Sequence, residues 1–163
     1  MPTIGLRMSA GTPGAVSRIE HLTAEPVHLD PAAPFAAFGL PGTIGANGRF
    51  RPIQAGDTAA SVSGFLIRNY PGLASSTYYG VTGMPTGSVV ADRMRRGYMQ
   101  VKLNAGNAVK EAPVFVRIGA GTAAKPVGGI EAAADGANTV QIPACTFMGP
   151  ADAEGNTEIA FNI

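Results

Sequence analysis

This 163-residue sequence contains two histidines and one cysteine, residue types that often act as a general base and a nucleophile. His28 and Asp30 are spaced like a base and its orienting carboxylate, but residues two apart on a strand lie about 6–7 Å from each other. Cys145 sits in an apolar run, where a thiol is typically a small buried hydrophobe. Because nothing completes a nucleophilic set, the sequence predicts a protein that is not an enzyme.

Cofactor and metal signals are equally incomplete. Residues 119–121, Gly-Ala-Gly, imitate the start of a dinucleotide fingerprint, but Pro126 ends any helix that would hold a pyrophosphate. Asp152, Glu154 and Asn156 space oxygen ligands two residues apart, without the closing bidentate glutamate of a calcium loop. No cysteine–histidine cluster has the spacing of a zinc site. The sequence therefore predicts no cofactor and no metal.

A basic cluster of Arg93, Arg95 and Arg96 lies beside Tyr98 and is a candidate binding surface. Arginine pairs with carboxylates through two parallel hydrogen bonds and is enriched at protein interfaces. Nine of the 12 basic residues are arginine, which favours specific pairing over diffuse binding of a polyanion. A solvated turn, or phosphate contacts with a base stacked on Tyr98, are the alternatives. We favour protein–protein contact and expect no nucleic acid.

A second candidate contact element is the segment 70–86, whose Gly, Pro, Ser and Thr content predicts a long loop. It carries Tyr70, Tyr78, Tyr79 and Met84. Tyrosine is amphipathic and common where two surfaces meet. Exposed tyrosines can also stack on sugar rings, so a carbohydrate- or receptor-binding module is the alternative interpretation of this loop.

Composition indicates an all-β protein with a partner. Hydrophobic residues make up 45% of the chain, and 22 Gly with 13 Pro punctuate short apolar runs. Charged residues make up 14%, against about 25% in typical domains. A surface with so little charge suits contact with another protein or subunit, the alternative being a small domain with a neutral exterior. The net charge of +1 and the absence of a run near 18 apolar residues predict no membrane contact.

Charge is unevenly distributed along the chain. Residues 1–48 carry a net charge of −1, residues 49–117 carry +6 and residues 118–163 carry −4. If these segments formed separate surfaces, one subunit would present a basic face and an acidic edge, which would favour a defined register between subunits.

Alternating apolar residues predict nine or ten strands at intervals of about 8–12 residues, the spacing of a sandwich or closed barrel. The candidate segments are residues 16–23, whose alternation is mixed, and ten with clearer patterns at residues 43–46, 49–53, 61–69, 88–94, 98–103, 112–118, 129–132, 139–142, 146–148 and 157–163. We therefore expect a single domain over residues 1–163, a jelly-roll-like β-sandwich or barrel with long loops. Residues 1–15, broken by Gly and Pro, are expected to form an extended N-terminal arm.

Several local features refine this prediction. Asn47-Gly48 predicts a type I′ hairpin turn, and Gly64 predicts a bulge or a close backbone approach. Phe35 and Phe38 are expected to anchor a proline-rich loop in the core. In the last strand, residues 157, 159, 161 and 163 are expected to share the core face.

The sequence also resembles a known family. The segment from Phe147 to Asn162, with the pattern F-x-G-P-A-D-A-x-G-N-x-E-I-A-F-N, is similar to the structural cement proteins of tailed-phage heads, as are Arg95-Arg96-Gly97-Tyr98 and Val101-Lys102-Leu103. The resemblance implies a β-rich decoration protein that binds the outside of an HK97-type shell and cements neighbouring capsomers.

The resemblance also implies partners and a location. The partners would be the major capsid protein and further copies of the chain, as a dimer or, by preference, a trimer. Because residues 1–14 lack a signal peptide, the protein is expected to be made in the host cytoplasm. The resemblance implies that it acts on the outer surface of the virion. The alternative is a carbohydrate- or receptor-binding β-module of a phage tail or fibre.

Overall fold

The longest element, a strand of 16 residues at Val90–Ala105, belongs to two sheets at once. The structure is a computed structural model and describes residues 11–68, 84 and 88–163. Its strands in chain order are β1 (Thr23–His28), β2 (Pro41–Ile44), β3 (Phe50–Pro52), β4 (Gly64–Leu66), β5 (Val90–Ala105), β6 (Pro113–Arg117), β7 (Ile130–Glu131), β8 (Thr139–Phe147) and β9 (Asn156–Phe161). Short 3-10 turns lie at Ile19–His21, Ala59–Ser61 and Gly136–Asn138. The all-β prediction is confirmed, and none of these described turns approaches the length or apolarity of a membrane-spanning helix.

The C-terminal half of β5 closes a barrel. Neighbouring strands follow the order β5-β7-β6-β8-β9, and β9 pairs with β5 again, from Gly97 opposite Phe161 to Lys102 opposite Asn156. The pairs are antiparallel except for β5 with β7. Ring closure is one way in which β proteins remove exposed strand edges. The sequence predicted a sandwich or a barrel, and these five strands form a barrel.

The N-terminal half of β5 belongs to a second, open sheet. Its strands follow the order β3-β2-β4-β5, and β1 also pairs with β5. Glu25 of β1 and Leu66 of β4 both pair with Arg93, so β1 and β4 lie on opposite edges of β5. One continuous backbone therefore links the open sheet to the barrel.

Apolar side chains form two clusters on either side of β4. Phe65 and Leu66 are successive residues of β4 and both are fully buried, but Phe65 belongs to the barrel cluster and Leu66 to the second one. Phe35 and Phe38 are buried in the second cluster, as predicted for the proline-rich loop. The barrel cluster includes Met94, Met99, Val101, Val114, Val116, Ile130, Ile142, Phe147, Ile159 and Phe161.

Several predicted strand boundaries are wrong. The predicted strands 88–94 and 98–103 are parts of one strand, β5, which begins at Val90, and the predicted strands 139–142 and 146–148 are parts of one strand, β8, which ends at Phe147. Residues 16–23 do not form a strand, because after a single bridge to β5 the chain enters the 3-10 turn at Ile19–His21. In each case the pairing partner is distant in sequence, which local periodicity does not report.

The β2–β3 hairpin is confirmed, but its turn is not of type I′. That turn needs positive φ at both central residues, whereas Gly48 has φ of +73° and Asn47 is not among the positive-φ residues. The N–H of Gly48 donates to the carbonyl of Gly45 at 2.9 Å. The connection is thus a longer loop, a β-turn followed by a left-handed glycine.

The predicted N-terminal arm is described only in part. Residues 1–10 lie outside the described residues. Gly14 donates its N–H to the carbonyl of Gln100, and Gln100 donates its N–H to Ala15, at 2.8 and 2.9 Å. Residues 14 and 15 are therefore attached to the barrel strand. That residues 1–163 form one domain, with an arm at residues 1–15, stays a prediction.

Candidate functional site

A bulge in β5 exposes two successive arginines. Met94 and Met99 are both fully buried in the barrel cluster, although strict alternation would place residues five apart on opposite faces. The inward–outward alternation of side chains changes at Arg95 and Arg96. There, one step along β1, from Thr23 to Ala24, corresponds to two steps along β5. Such a β-bulge redirects side chains. Both arginines consequently lie on the exposed surface.

Asn162, directly after β9, holds this bulge in place. Its side-chain amide donates to the carbonyl of Arg95 at 2.8 Å, and its own carbonyl accepts the Nε–H of Arg96 at 3.2 Å. Its N–H donates to the carbonyl of Ala144 at 2.8 Å. Asn162 and Ala144 have φ of +54° and +48°, a left-handed conformation that is uncommon outside glycine. Three hydrogen bonds thus fix an unusual backbone geometry beside the two arginines.

Ile163 is exposed beside Asn162 and not in the core, so its predicted position is wrong. Thr157, Ile159 and Phe161 are buried as expected, but 53% of Ile163 is exposed. The left-handed φ of Asn162 ends the strand and breaks the alternation. We call Arg95, Arg96, Asn162 and Ile163 the arginine rim.

Arg93 is buried and paired within the chain. Its Nη2 donates to Glu25 Oε2 at 2.6 Å, and its Nη1 donates to Ser63 Oγ at 2.9 Å. The hydrogen bond from Arg93 is the main reason why the pKa of Glu25 lies below its ordinary value. Only 6% of Arg93 is exposed, and it shares Glu25 with Arg95 of the rim. A contact between Arg93 and a partner stays a prediction.

Tyr98 is also covered by its own chain. The guanidinium of Arg18 lies 4.0 Å from the centre of the Tyr98 ring, and the ring of His21 packs edge-on against it at 5.6 Å. Arg18 in turn donates to both carboxylate oxygens of Glu158, at 3.2 and 2.9 Å. Tyr98 therefore helps to attach the N-terminal segment to β5, and Glu158 attaches it to β9.

The predicted contact loop is mostly outside the described residues. Tyr70, Tyr78 and Tyr79 fall there, and their proposed contact role stays a prediction, as does the carbohydrate-binding alternative. Met84 is described and is buried in the second apolar cluster. Its side chain contributes to the interior of the domain.

The three charged segments pair with one another inside a single chain. Arginines of the basic middle segment meet carboxylates of the flanking segments, and Arg18 meets Glu158 across the whole length of the chain. Among the described residues, these pairs bring basic and acidic segments of the sequence into direct contact. The cross-segment pairs are Arg18–Glu158, Arg93–Glu25, Arg117–Glu131 and Arg117–Asp135.

Arg117 shows why such pairs escape sequence analysis. It alternates with apolar neighbours on β6, yet only 2% of it is exposed. Its Nη2 donates to Asp135 at 2.7 Å and to Glu131 at 3.1 Å. The bond to Glu131 is the largest cause that raises the pKa of Arg117, and the bond from Arg117 lowers the pKa of Asp135. A buried charge needs such partners, and here they come from β7 and the loop after it.

The residues considered for catalysis or ligand binding have structural roles. Asp30 accepts hydrogen bonds from Asn47 and from the N–H of Ala32 at 3.1 and 3.0 Å, not from His28. Cys145 is buried, and desolvation raises the pKa of its thiol. Asp152 Oδ1 accepts the N–H of Asn156 at 2.7 Å and closes its own turn. Residues 119–121 lie in a connection between β6 and β7.

The outer edge of β1 lacks one of its donors. Pro26 lies opposite Asp92 of β5 in the antiparallel ladder. The carbonyl of Asp92 accepts the N–H of Ile67 at 2.9 Å, so the backbone polar groups of Asp92 point away from β1. Residues opposite each other in such a pair both turn their backbone polar groups outward. The backbone of Pro26 must therefore face outward, and proline has no N–H. Natural proteins use proline in this way to block strand addition. On β3, the edge position at Phe50 is occupied by Asp30, whose N–H donates to the Phe50 carbonyl at 3.0 Å.

Of the functional candidates, the sequence singled out Arg95 and Arg96 but missed Asn162. The bulge brings the two arginines to the surface, while Arg93 and Tyr98 lie beneath or beside them within the chain. The available signal for Asn162 was its residue type, because asparagine is enriched in left-handed backbone. Its partners, at β5 and β8, could not be read from its neighbours in the sequence.

Comparison with known proteins gives the family. The sequence pattern of the XM1 gp53 minor capsid protein family matches residues 1–161. A chain in the solved structure "The capsid of Myoviridae Phage XM1" has a similar fold, with a TM-score of 0.72 and 17% sequence identity over 98% of this chain and 95% of that chain. No curated protein matches the sequence. The family implies a non-enzymatic role and a place in the virion. Because the match spans residues 1–161, this chain belongs to the XM1 gp53 minor capsid protein family, whose role in the phage capsid is structural.

Proposed function

We propose that this protein binds the outer surface of an HK97-type phage capsid and cements neighbouring capsomers, stabilising the expanded head. The observation that carries the proposal is the arginine rim. Two exposed arginines stand on a bulge to which Asn162 is hydrogen-bonded, whereas Arg93 and Arg117 are buried in ion pairs within the chain. A pre-organised pair of donors loses little conformational entropy on binding, which suits a permanent contact in a particle.

The proposed contact is made by side chains. Strand addition to the capsid protein is the other natural mode for a β domain. The outward-facing Pro26 of β1 and the occupied edge at Phe50 of β3 argue against it at those two strands. A contact made by the side chains of the arginine rim can be repeated by symmetry around the shell. It requires no exposed strand edge, which would favour aggregation.

Stabilisation would follow from mass action. A protein that binds only the expanded shell lowers the free energy of that state by an amount set by its concentration and affinity. Assembly of the protein as a dimer or trimer, with a trimer as our preferred state, would place several rims on one capsomer junction and add avidity.

Binding to undecorated heads tests the proposal. We expect Arg95→Glu with Arg96→Glu to keep the circular dichroism spectrum of the wild type and to lower occupancy on heads by roughly tenfold or more in sedimentation. The matched control is Lys110→Glu with Lys125→Glu, two exposed charges away from the rim. Light scattering of the free protein gives its oligomeric state.

Two results would contradict the proposal. One is wild-type binding by the double arginine variant. The other is equal resistance of decorated and undecorated heads to heating, because a cement that adds no stability is not a cement. External position is checked separately, by antibody binding to intact particles.

A further inference from the structure

We infer that the arginine rim recognises a segment of a capsid protein that carries a carboxylate next to an apolar side chain. This rests on the proposed function only for the identity of the partner. It adds the chemistry that the partner must present and singles out Arg96 as the main charged contact.

Arg96 has donors available for a partner. Its Nε–H is committed to the carbonyl of Asn162, which fixes the orientation of the guanidinium. No carboxylate in the described part of the chain forms a salt bridge with it. The two terminal nitrogens of such a guanidinium can bind both oxygens of an incoming carboxylate.

Arg95 is in a different electrostatic position. Its side chain is 60% exposed, and its Nη1 lies 3.5 Å from Glu25 Oε2. The same oxygen already accepts a 2.6 Å hydrogen bond from Arg93. Glu25 is thus shared by two arginines and held more closely by the buried one. Arg95 can turn toward an incoming carboxylate without leaving Glu25 unpaired.

The surroundings favour a carboxylate over a phosphate polymer. Duplex DNA carries one charge per about 1.7 Å and is bound by extended basic surfaces. The rim offers two cations with Glu25 beside them, in a chain of net charge +1. A single carboxylate can pair with these cations, whereas a continuous line of phosphates carries more negative charge than the rim can neutralise.

Ile163 adds an apolar requirement. It follows Asn162 directly, the residue that is hydrogen-bonded to Arg95 and Arg96, and it exposes 53% of its surface. An exposed large apolar residue next to charged donors resembles the mixed composition of protein interfaces. The partner segment is therefore expected to place an apolar side chain against Ile163 while its carboxylate meets Arg96.

Zero-length crosslinking inside the particle tests this inference. In virions that carry Arg96→Lys, a carbodiimide joins the new amine to any carboxylate in contact with it. We expect an amide between position 96 and an Asp or Glu of a capsid protein, mapped by mass spectrometry. Position 95 is unsuitable, because Glu25 would capture an amine there. The exposed Glu20 and Glu154 take up an added small amine and show that the reagent is active.

A second measurement guards against a variant that fails to assemble. Arg96→Gln in the full chain should weaken binding to undecorated heads by roughly tenfold, whereas Lys110→Gln should leave it unchanged. Ile163→Ser should also weaken binding without changing the melting temperature.

The outcomes separate this inference from the proposed function. The inference would be overturned if the residue at position 96 were crosslinked only to a second copy of the chain. It would also be overturned if position 96 formed no crosslink while Glu20 and Glu154 reacted with the small amine. Binding of a DNA duplex at physiological salt that Arg96→Gln abolishes would likewise overturn the inference. An amide to a capsid protein in particles that gain no stability would leave the inference standing and remove the cementing role.

Discussion

The side-chain amide of Asn162 donates a 2.8 Å hydrogen bond to the backbone carbonyl of Arg95, across 67 positions of the sequence. This bond joins the end of β9 to the bulge in the middle of β5. The exposed arginines are thus held from both strands of one antiparallel pair. The rim is therefore part of the barrel framework and not a mobile loop attached to it.

Replacement of Asn162 should loosen the rim and lower stability. Asn162→Ala removes the bond to Arg95 and keeps a Cβ at φ of +54°, so we expect a loss of about 1 kcal/mol and a melting temperature about 2–4 °C lower. Asn162→Gly removes the same bond but relieves the left-handed strain, and its effect should be smaller. Calorimetry compares the two. An unchanged Asn162→Ala protein would show that the bond does not hold the bulge.

Arg93 and Arg95 should differ although they are two residues apart on one strand. Arg93→Ala breaks its hydrogen bonds to Glu25 and Ser63 and should cost about 2 kcal/mol, measured by urea unfolding. Arg95→Ala should change stability by less than about 0.5 kcal/mol and act on head binding instead. Equal losses of stability in the two variants would contradict the exposed position of Arg95.

The two isoleucines at the end of the chain should also separate. Ile159 is fully buried in the barrel cluster, so Ile159→Ala should cost about 2–5 kcal/mol. Ile163→Ala should cost less than about 0.5 kcal/mol, because the side chain is already in water. Thermal melts of both variants test this difference. If the alternation of buried and exposed residues continued through position 163, Ile163 would be buried and the two losses of stability would be similar.

Acid should unfold the protein through its carboxylates. The bond from Arg51 is the largest cause that holds the pKa of Asp57 below its ordinary value of 3.8, and the pKa of Glu25 is lowered in the same direction from 4.5. A depressed folded-state pKa contributes stability that is complete above the ordinary value and disappears as the pH falls through the folded value. We expect a flat melting temperature from pH 7 to about pH 5 and a decline below about pH 4.

Asp57→Asn isolates one part of that decline. It removes the charge that Arg51 binds at 2.8 Å, so the variant should be less stable at pH 7 and should lose less on acidification. If the melting temperature of Asp57→Asn fell with pH as it does in the wild type, the decline would be caused by the other carboxylates.

Gly64 should tolerate no side chain. A Cβ there would overlap the backbone oxygen of Met94 and lie 2.7 Å from Arg93 Cγ, as expected from a close approach of β4 to β5. Gly64→Ala should cost about 2–3 kcal/mol in urea unfolding. Gly48→Ala, at a left-handed position with open space around it, should cost about 1 kcal/mol. A milder effect at Gly64 than at Gly48 would argue against the tight pairing of these strands.

Local patterns predicted the parts of the fold that depend on neighbours. The β2–β3 hairpin, the close approach at Gly64 and the buried Phe35 and Phe38 follow from residue types within a few positions. The all-β class follows from the same short-range signals. Arg95-Arg96-Gly97 resembles a turn by these signals, so the sequence predicts two strands where the structure has the single strand β5.

The rest depends on contacts between distant segments. β5 continues through Gly97 because β1 and β9 supply hydrogen bonds on either side of the bulge. Arg117 can be buried because Glu131 and Asp135 reach it from the next elements. The candidate site was therefore predictable as a pair of arginines, whereas its support from Asn162 required the three-dimensional pairing of β9 with β5.

The shared strand β5 has a mechanical consequence. Because its 16 residues run unbroken from the open sheet into the barrel, a pull between the two halves travels along covalent backbone. Strands β1 and β9 run alongside β5, so such a pull loads their hydrogen bonds to β5 in shear. Many of these bonds would have to break together, instead of one after another. Tension applied through the arginines, which stand at the junction, would reach both halves of the molecule together.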